Sequence, residues 1–286
     1  MLTGKSISHV NQGPGTCYSV DKVAGYYNDL TEKITRESVD ILVPQYSVDS
    51  GEKIYFSIGI FQYGLAAYDL YLRTGETIYR NKLCVCADWA VENQQPDGSW
   101  ITFAYKDPEH PYSSMAQGEG ISMLLRAHIE TGDEKYLSAS HKAKDFLLKP
   151  IENGGTAEYC EGDIVFFEYT PFPPILNGWI FTIWGLFDYW KYTHDPGAKS
   201  VLDSTLASLK NKLPDFHMKY WSKYDAGKRI CSPFYHKLHI AQLRVMYDLF
   251  GDPIYKDYAE KWQRYQDSFW NRKMAFLKKA GQKLFE

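Results

Sequence analysis

A fourfold repeat constrains this 286-residue chain more than any other feature. Each copy has an apolar helix-like run, a short acidic or glycine turn, and a second helix-like run opened by an aromatic residue. The copies are "YGLAAYDLYLRTGETIYRNKLCVCADWAVENQ", "GISMLLRAHIETGDEKYLSASHKAKDFLL", "WGLFDYWKYTHDPGAKSVLDSTLASLKNKL" and "QLRVMYDLFGDPIYKDYAEKWQRYQDSF". Three turns align on Gly75, Gly132 and Gly251, and the fourth, "THDPGA", is anchored on Asp195. The steps are 132−75 = 57, 195−132 = 63 and 251−195 = 56 residues. A period of that size, made of two helices and a connection, is the mark of stacked helical hairpins.

Glycine after a helix supplies the left-handed residue that ends it. An acidic residue just beyond suits the start of the next helix, where the helix dipole favours negative charge. The chain is therefore expected to be all-α, an α/α barrel (toroid) of about four helical hairpins. The first, more apolar helix of each pair would line the inside. A short irregular or partly β N-terminal segment, with "NQGPGTCYSV" and "DILVPQYSVDSGEK", precedes it. The expected boundaries are 1–50 for that segment, 51–270 for the barrel and 271–286 for a C-terminal tail.

Composition narrows the function. The formal net charge of −3 gives no reason to expect nucleic acid or an anionic membrane surface as partner. The longest apolar stretch, residues 175–190, is too short and interrupted to span a bilayer. The opening "MLTGKSISHVNQGPG" has no signal-peptide core, so a cytoplasmic location is expected. The five cysteines have no metal-like spacing and are read as mostly buried thiols in a reducing compartment. Aromatics make up 16% of the chain, with 23 Tyr and 8 Trp. Helix seams and a sugar-stacking cleft explain that excess equally well.

Four loops lead into the inner helices, at residues 48–62, 106–120, 160–178 and 220–239. They occupy equivalent places in the repeat, so they should converge. Long polar, aromatic loops at one place in every repeat point to a site. His236 and His239 are three apart, with His217 or Glu168 as a third metal ligand, but no zinc spacing is present and no metal is expected. Glu119 and Glu168, with Asp163 and Asp225 as spares, could act as a glycosidase pair. Proton abstraction beside a carboxylate, as in uronic acids, needs a base and donors that stabilise the developing charge. The loops supply Tyr169, Tyr224 and Tyr235 for the first task, and Gln117, Asn177 and His239 for the second.

"SSMAQGEGISMLLRA" (113–127), "FEYT…ILNGWIFTIWGLFD" (167–188), "YWSKYD" (220–225), "PFYHKLHIAQL" (233–243) and "IFQYGLAAYDLY" (60–71) resemble the C-terminal domain of the D-glucuronyl C5-epimerases. That family converts glucuronate to iduronate in heparosan or heparan sulfate. The resemblance covers about residues 50–265 and implies an α/α barrel. It carries the family's essential tyrosines onto Glu168 with Tyr169, Tyr224 with Asp225, and Tyr235 with His236. It also implies substrate contacts at Gln62, Gln117, Asn177, His236 and His239. No cofactor is implied. The partners it implies are a uronate-containing polysaccharide and a second copy as homodimer. The chain departs from the animal enzymes in its short N-terminal region and in "YDAGKRICSPFYH", where Lys228 or Arg229 stands in for a family arginine.

The sequence thus reads as a polysaccharide uronate C5-epimerase, with Tyr235 and Tyr169 on the two sugar faces and Tyr224 and Glu168 tuning them. A β-eliminating polysaccharide lyase, a non-catalytic glycan-binding protein and a helical glycosidase are the alternatives.

Overall fold

The computed structural model describes residues 11–35, 42–48 and 50–283. Most of the signal-peptide reading falls on residues 1–10, outside that range, as does Asp49 of the first lead-in loop. An irregular segment leads to one helical turn, α1 (Glu32–Thr35), and a two-stranded antiparallel ribbon, β1 (Tyr46–Ser47) with β2 (Lys53–Ile54). Four helical hairpins follow: α2 (Ser57–Thr74) with α3 (Thr77–Asn93), α4 (Ser114–Thr131) with α5 (Glu134–Leu147), α6 (Leu176–Thr193) with α7 (Pro196–Lys212), and α8 (Pro233–Phe250) with α9 (Pro253–Asp267). A second ribbon, β3 (Ala157–Cys160) with β4 (Asp163–Phe166), lies between the second and third hairpins. The fold is mostly helical, as the repeat requires. Residues 271–283, read from sequence as tail, belong to a tenth helix, α10 (Phe269–Lys283).

The hairpin turns share one geometry. Gly75, Gly132 and Gly251 are left-handed, with φ of 73°, 70° and 71°. The fourth turn uses His194 at φ 56°, one residue before the sequence anchor. In all four the cap N–H donates over 2.8 Å to the carbonyl four residues back. The next helix opens with Asp133, Asp195 or Asp252 capping backbone N–H groups, while Glu76 occupies the same place without a side-chain cap bond.

The first helix of each pair has 18 residues and is largely buried, though α8 exposes Lys237, Arg244 and Asp248 along one side. The second helices bury one face. The inner seams run α2 to α4, α4 to α6 and α6 to α8. The α4–α6 seam is tight because Gly118 and Gly185 meet there; a Cβ on Gly185 would strike the backbone of Gly118. Among the described residues, no seam of that extent joins α8 to α2.

The N-terminal segment instead ties the C-terminal ends of all four inner helices together. Tyr18 donates to Asp248 of α8 over 2.9 Å, and the Tyr26 N–H donates to Asp69 of α2 over 2.8 Å. Arg126 of α4 donates to the Gly25 carbonyl, and Tyr27 donates to Asp188 of α6. Tyr26 and Tyr27 also pack on Trp184. Beneath them Arg126 and Asp188 form a fully buried ion pair at 2.7 Å, and Ser122 supplies a further donor to the carboxylate. Loss of one member of such a pair costs about 3–5 kcal/mol. This end of the helices is closed, and the loops that begin the inner helices gather at the other. Among the described residues, no helix is long and apolar enough to cross a membrane.

Candidate active site

The lead-in loops are tied to one another through the backbone at the N-terminal end of the inner helices. The Ser114 N–H, at the start of α4, donates to the Phe167 carbonyl over 3.1 Å. The Leu176 N–H, at the start of α6, donates to the Tyr224 carbonyl over 3.2 Å. Each bond anchors a loop carrying candidate chemistry to the first turn of a preceding inner helix. Glu168 and Tyr169 follow the first anchor, and Tyr224 is the second.

Glu168 stands at the centre. It is half-buried, and Asn177 Nδ2, from the first turn of α6, donates to its Oε2 over 3.4 Å. Gly178 provides the room, because a Cβ there would land on the Glu168 side chain. Burial pushes the Glu168 carboxyl up to about 7, against the downward pull of Lys106, Arg229 and the Asn177 bond. A carboxyl poised there is half-ionised at neutral pH, where a general acid or base works best.

Tyr224 and Tyr235 meet edge to face at 4.7 Å between ring centroids. Burial holds both hydroxyls well above the ordinary tyrosine value, and the negative charge of Glu168 adds to the effect. Both therefore rest as neutral O–H groups. Arg229 lies over the Tyr224 ring at 5.2 Å and the Phe172 ring at 4.1 Å, and Asp225 pairs with its Nε. Its Nη2 is buried without a protein partner.

Tyr169 forms a second tyrosine–carboxylate unit. Its hydroxyl donates to Asp107 Oδ2, and its ring packs on Phe103 and Phe172. Burial, followed by the Asp107 bond, pushes the Tyr169 hydroxyl up to about 12. Lys106 connects the two units. Its Nζ lies 4.5 Å from the Tyr169 ring centroid, and it is the strongest cationic influence on Glu168. The arrangement is two neutral tyrosines beside one carboxyl, a third tyrosine bound to another, and two cations among them.

The other sequence candidates are bonded mainly to the surrounding scaffold. Gln117 is committed to the scaffold: its Oε1 accepts from the Trp100 N–H, and its Nε2 donates to the Gly98 and Ala143 carbonyls. Gln62 donates to Glu119 Oε1 over 2.8 Å, deep among the inner helices, and burial raises the Glu119 carboxyl well above the ordinary range. Asp163 is salt-bridged to Lys212 at 3.2 Å.

His236 stacks on Trp221 at 3.6 Å. Its Nε2 lies 3.1 Å from the Trp262 carbonyl, so that nitrogen carries the proton. Its Nδ1 then accepts from Ser222, which lies 2.7 Å away. Both ring nitrogens are thereby used. His239 Nδ1 lies 3.4 Å from the same Ser222 oxygen and 3.5 Å from Cys231 Sγ, and its Nε2 is buried without a partner. Burial pushes both imidazoles down to about 3, so both are neutral. Among the described residues, no group of three or more His, Cys, Asp or Glu side chains is arranged to hold a metal ion. All five cysteines are free, but only Cys86 and Cys231 are buried; Cys17 and Cys84 are half-buried and Cys160 is exposed.

Sequence reasoning named Arg229 as one of two candidate cations, and the structure places Arg229 beside the tyrosines. It missed Lys106 and Asp107. Their signal was position: they are adjacent at the head of a lead-in loop, before its tyrosine and helix.

The pattern described as D-glucuronyl C5-epimerase C-terminus matches residues 100–264, which span every residue of this cluster. An uncharacterized protein of Methanocaldococcus jannaschii is 31% identical over 156 residues, covering 52% of this chain and 51% of that protein. The D-glucuronyl C5-epimerase of Caenorhabditis elegans is 27% identical over 208 residues, covering 63% of this chain and 34% of that enzyme. The chain thus spans about half of one relative and a third of the other.

Proposed function

From the chain's membership of the D-glucuronyl C5-epimerase C-terminal family, we propose that it is an epimerase acting at C5 of glucuronate residues within a heparosan-like polysaccharide. The observation that carries the reading is the pair of tyrosine–carboxylate units flanking shared cations: Tyr169 with Asp107, and Tyr224 and Tyr235 with Glu168.

Inversion at C5 requires a proton to leave one sugar face and another to arrive on the opposite face. Lys106 and Arg229 bind the uronate carboxylate and stabilise the charge that moves onto it as C5–H breaks. A tyrosine with a raised pKa is a poor base alone but a good carrier when a carboxylate takes its proton. On one face, the Tyr235 oxygen accepts the C5 proton as its own proton passes to ionised Glu168, with Tyr224 orienting the pair. On the other face, Tyr169, held in place by Asp107, donates its proton to C5. Tyr169 then regains a proton from water and Glu168 releases one to water, so the groups are restored after each turnover. The bond to hydrogen breaks on one face and forms on the other, so product and substrate differ only in configuration. Running the steps backward uses the same groups in exchanged roles, as a reversible epimerisation demands.

The test is incubation with heparosan followed by analysis of the uronic acids. Iduronate in the product supports the reading. An unsaturated uronate would show β-elimination, and unchanged glucuronate would leave heparosan excluded as substrate.

A further inference from the structure

Exposed large apolar side chains are scattered singly over most of the molecule, as on any soluble surface. Helix α10 is the exception. Trp270 is 70% exposed, Leu277 69%, Phe269 53%, Phe276 52% and Met274 44%. Trp270, Met274 and Leu277 are spaced by four and three residues and form one stripe along the helix. Phe269 and Phe276, with Lys273 between them, form the neighbouring stripe. Together they make an apolar arc about 160° wide, at least as wide as the face that a helix usually turns to its protein core. Here it faces solvent. The buried side is held by Ala275, and by Gln282, which donates to the Lys228 carbonyl and accepts from the Ile230 N–H.

The charge on this helix is as biased as its apolar face. Its fifteen residues include Arg272, Lys273, Lys278, Lys279 and Lys283 and no Asp or Glu, in a chain whose formal net charge is −3. Lys273 Nζ lies 4.5 Å from the Phe269 ring centroid and 6.0 Å from that of Trp270, so this cation sits over the aromatic rings within the arc.

We propose that α10 is an interfacial helix that lies on an anionic lipid surface, with Trp270, Met274 and Leu277 in the acyl boundary and the lysines on the headgroups. An exposed Trp, Phe and Leu face flanked by cations is the composition of helices that lie in a membrane interface without spanning it. A second copy docked through the same face would bring Lys273 and its counterpart together, like charge against like. A polyanionic glycan would satisfy the cations and stack on Trp270, but Met274 and Leu277 offer a sugar no flat face. The overall charge, which gave no reason to expect an anionic membrane, conceals this local concentration.

The experiment is flotation of the full chain with phosphatidylcholine vesicles, with and without phosphatidylglycerol, at low and high salt. The expected result is flotation only with phosphatidylglycerol, weakened by salt. Trp270→Ser with Leu277→Ser, and separately Lys273→Gln with Lys278→Gln, should each weaken it about tenfold or more. Thermal unfolding should be unchanged, since these side chains are exposed. The proposal is overturned by failure to float on phosphatidylglycerol vesicles, or by flotation that survives both double variants. Equally contrary would be a dimer, or retention on heparosan, that the Trp270 and Leu277 changes abolish.

Discussion

The Tyr169 hydroxyl donates to Asp107, and the bond joins the loop entering α4 to the loop entering α6. Two loops more than sixty residues apart in sequence thereby present one hydrogen-bonded tyrosine–carboxylate unit, to which the proposed mechanism gives a proton transfer. Tyr169→Phe removes the transferable proton but keeps the ring against Phe103 and Phe172. It should lower kcat by about 10²–10⁴-fold, the range for losing a positioned acid or base. Asp107→Asn should lower kcat less, because it keeps a hydrogen-bond partner for the hydroxyl. Circular dichroism melts of both variants should match the parent.

Glu168 sets the pH dependence. The proposed role needs its ionised form, and burial holds its pKa at about 7. Activity should therefore rise with pH through about 7 and fall away below it. Glu168→Gln should remove activity across the range while leaving binding of the polysaccharide measurable. A kcat/KM profile that is flat between pH 5 and 8 (values chosen to bracket about 7) would remove Glu168 as the base.

Lys106 is assigned two effects that can be separated. In the proposed mechanism its charge binds the uronate carboxylate, and it also pulls the Glu168 pKa downward. Lys106→Met should raise KM by roughly 10–100-fold, the loss expected for a charge-assisted contact. The acid limb of the rate profile should move to higher pH in the same variant. A shift in KM without a shift in the limb would separate Lys106 from Glu168.

His194 ends α6 in the left-handed region where the other three turns have glycine. A side chain there costs roughly 1–2 kcal/mol relative to the right-handed form. His194→Gly should raise stability by about 0.5–1 kcal/mol, less than that cost because glycine gives the unfolded chain more freedom. Denaturant melts would measure it, and activity should be unchanged because His194 lies at the end of the helices away from Glu168.

The four-hairpin plan is legible in the sequence because each turn is written locally: an apolar helix of 18 residues, a left-handed residue, an acidic cap position and an amphipathic second helix. His194 shows the limit of that reading. No glycine marks the third turn, so the alignment settles on Asp195, the cap one residue later. The tyrosines and Glu168 are visible because they lie in loops at one place of the repeat. Tertiary partners are not. Gln117 has the composition of a substrate contact, yet Gly98 and Ala143 take both its donors and Trp100 donates to its oxygen. His236 has the neighbours of a proton carrier in sequence, but its ring is enclosed by Trp221 and Trp262. The role of the N-terminal segment was also hidden. Its tyrosines meet Asp69, Arg126, Asp188 and Asp248 only once four distant helix ends have been brought together.

In the proposed mechanism one site moves protons at both faces of C5. The direct measurement is proton NMR of heparosan incubated with the enzyme in deuterated water. Deuterium at C5 together with iduronate signals is the expected result, and neither is expected with Glu168→Gln. Iduronate signals with no deuterium at C5, or an olefinic C4 proton in place of iduronate, would contradict it.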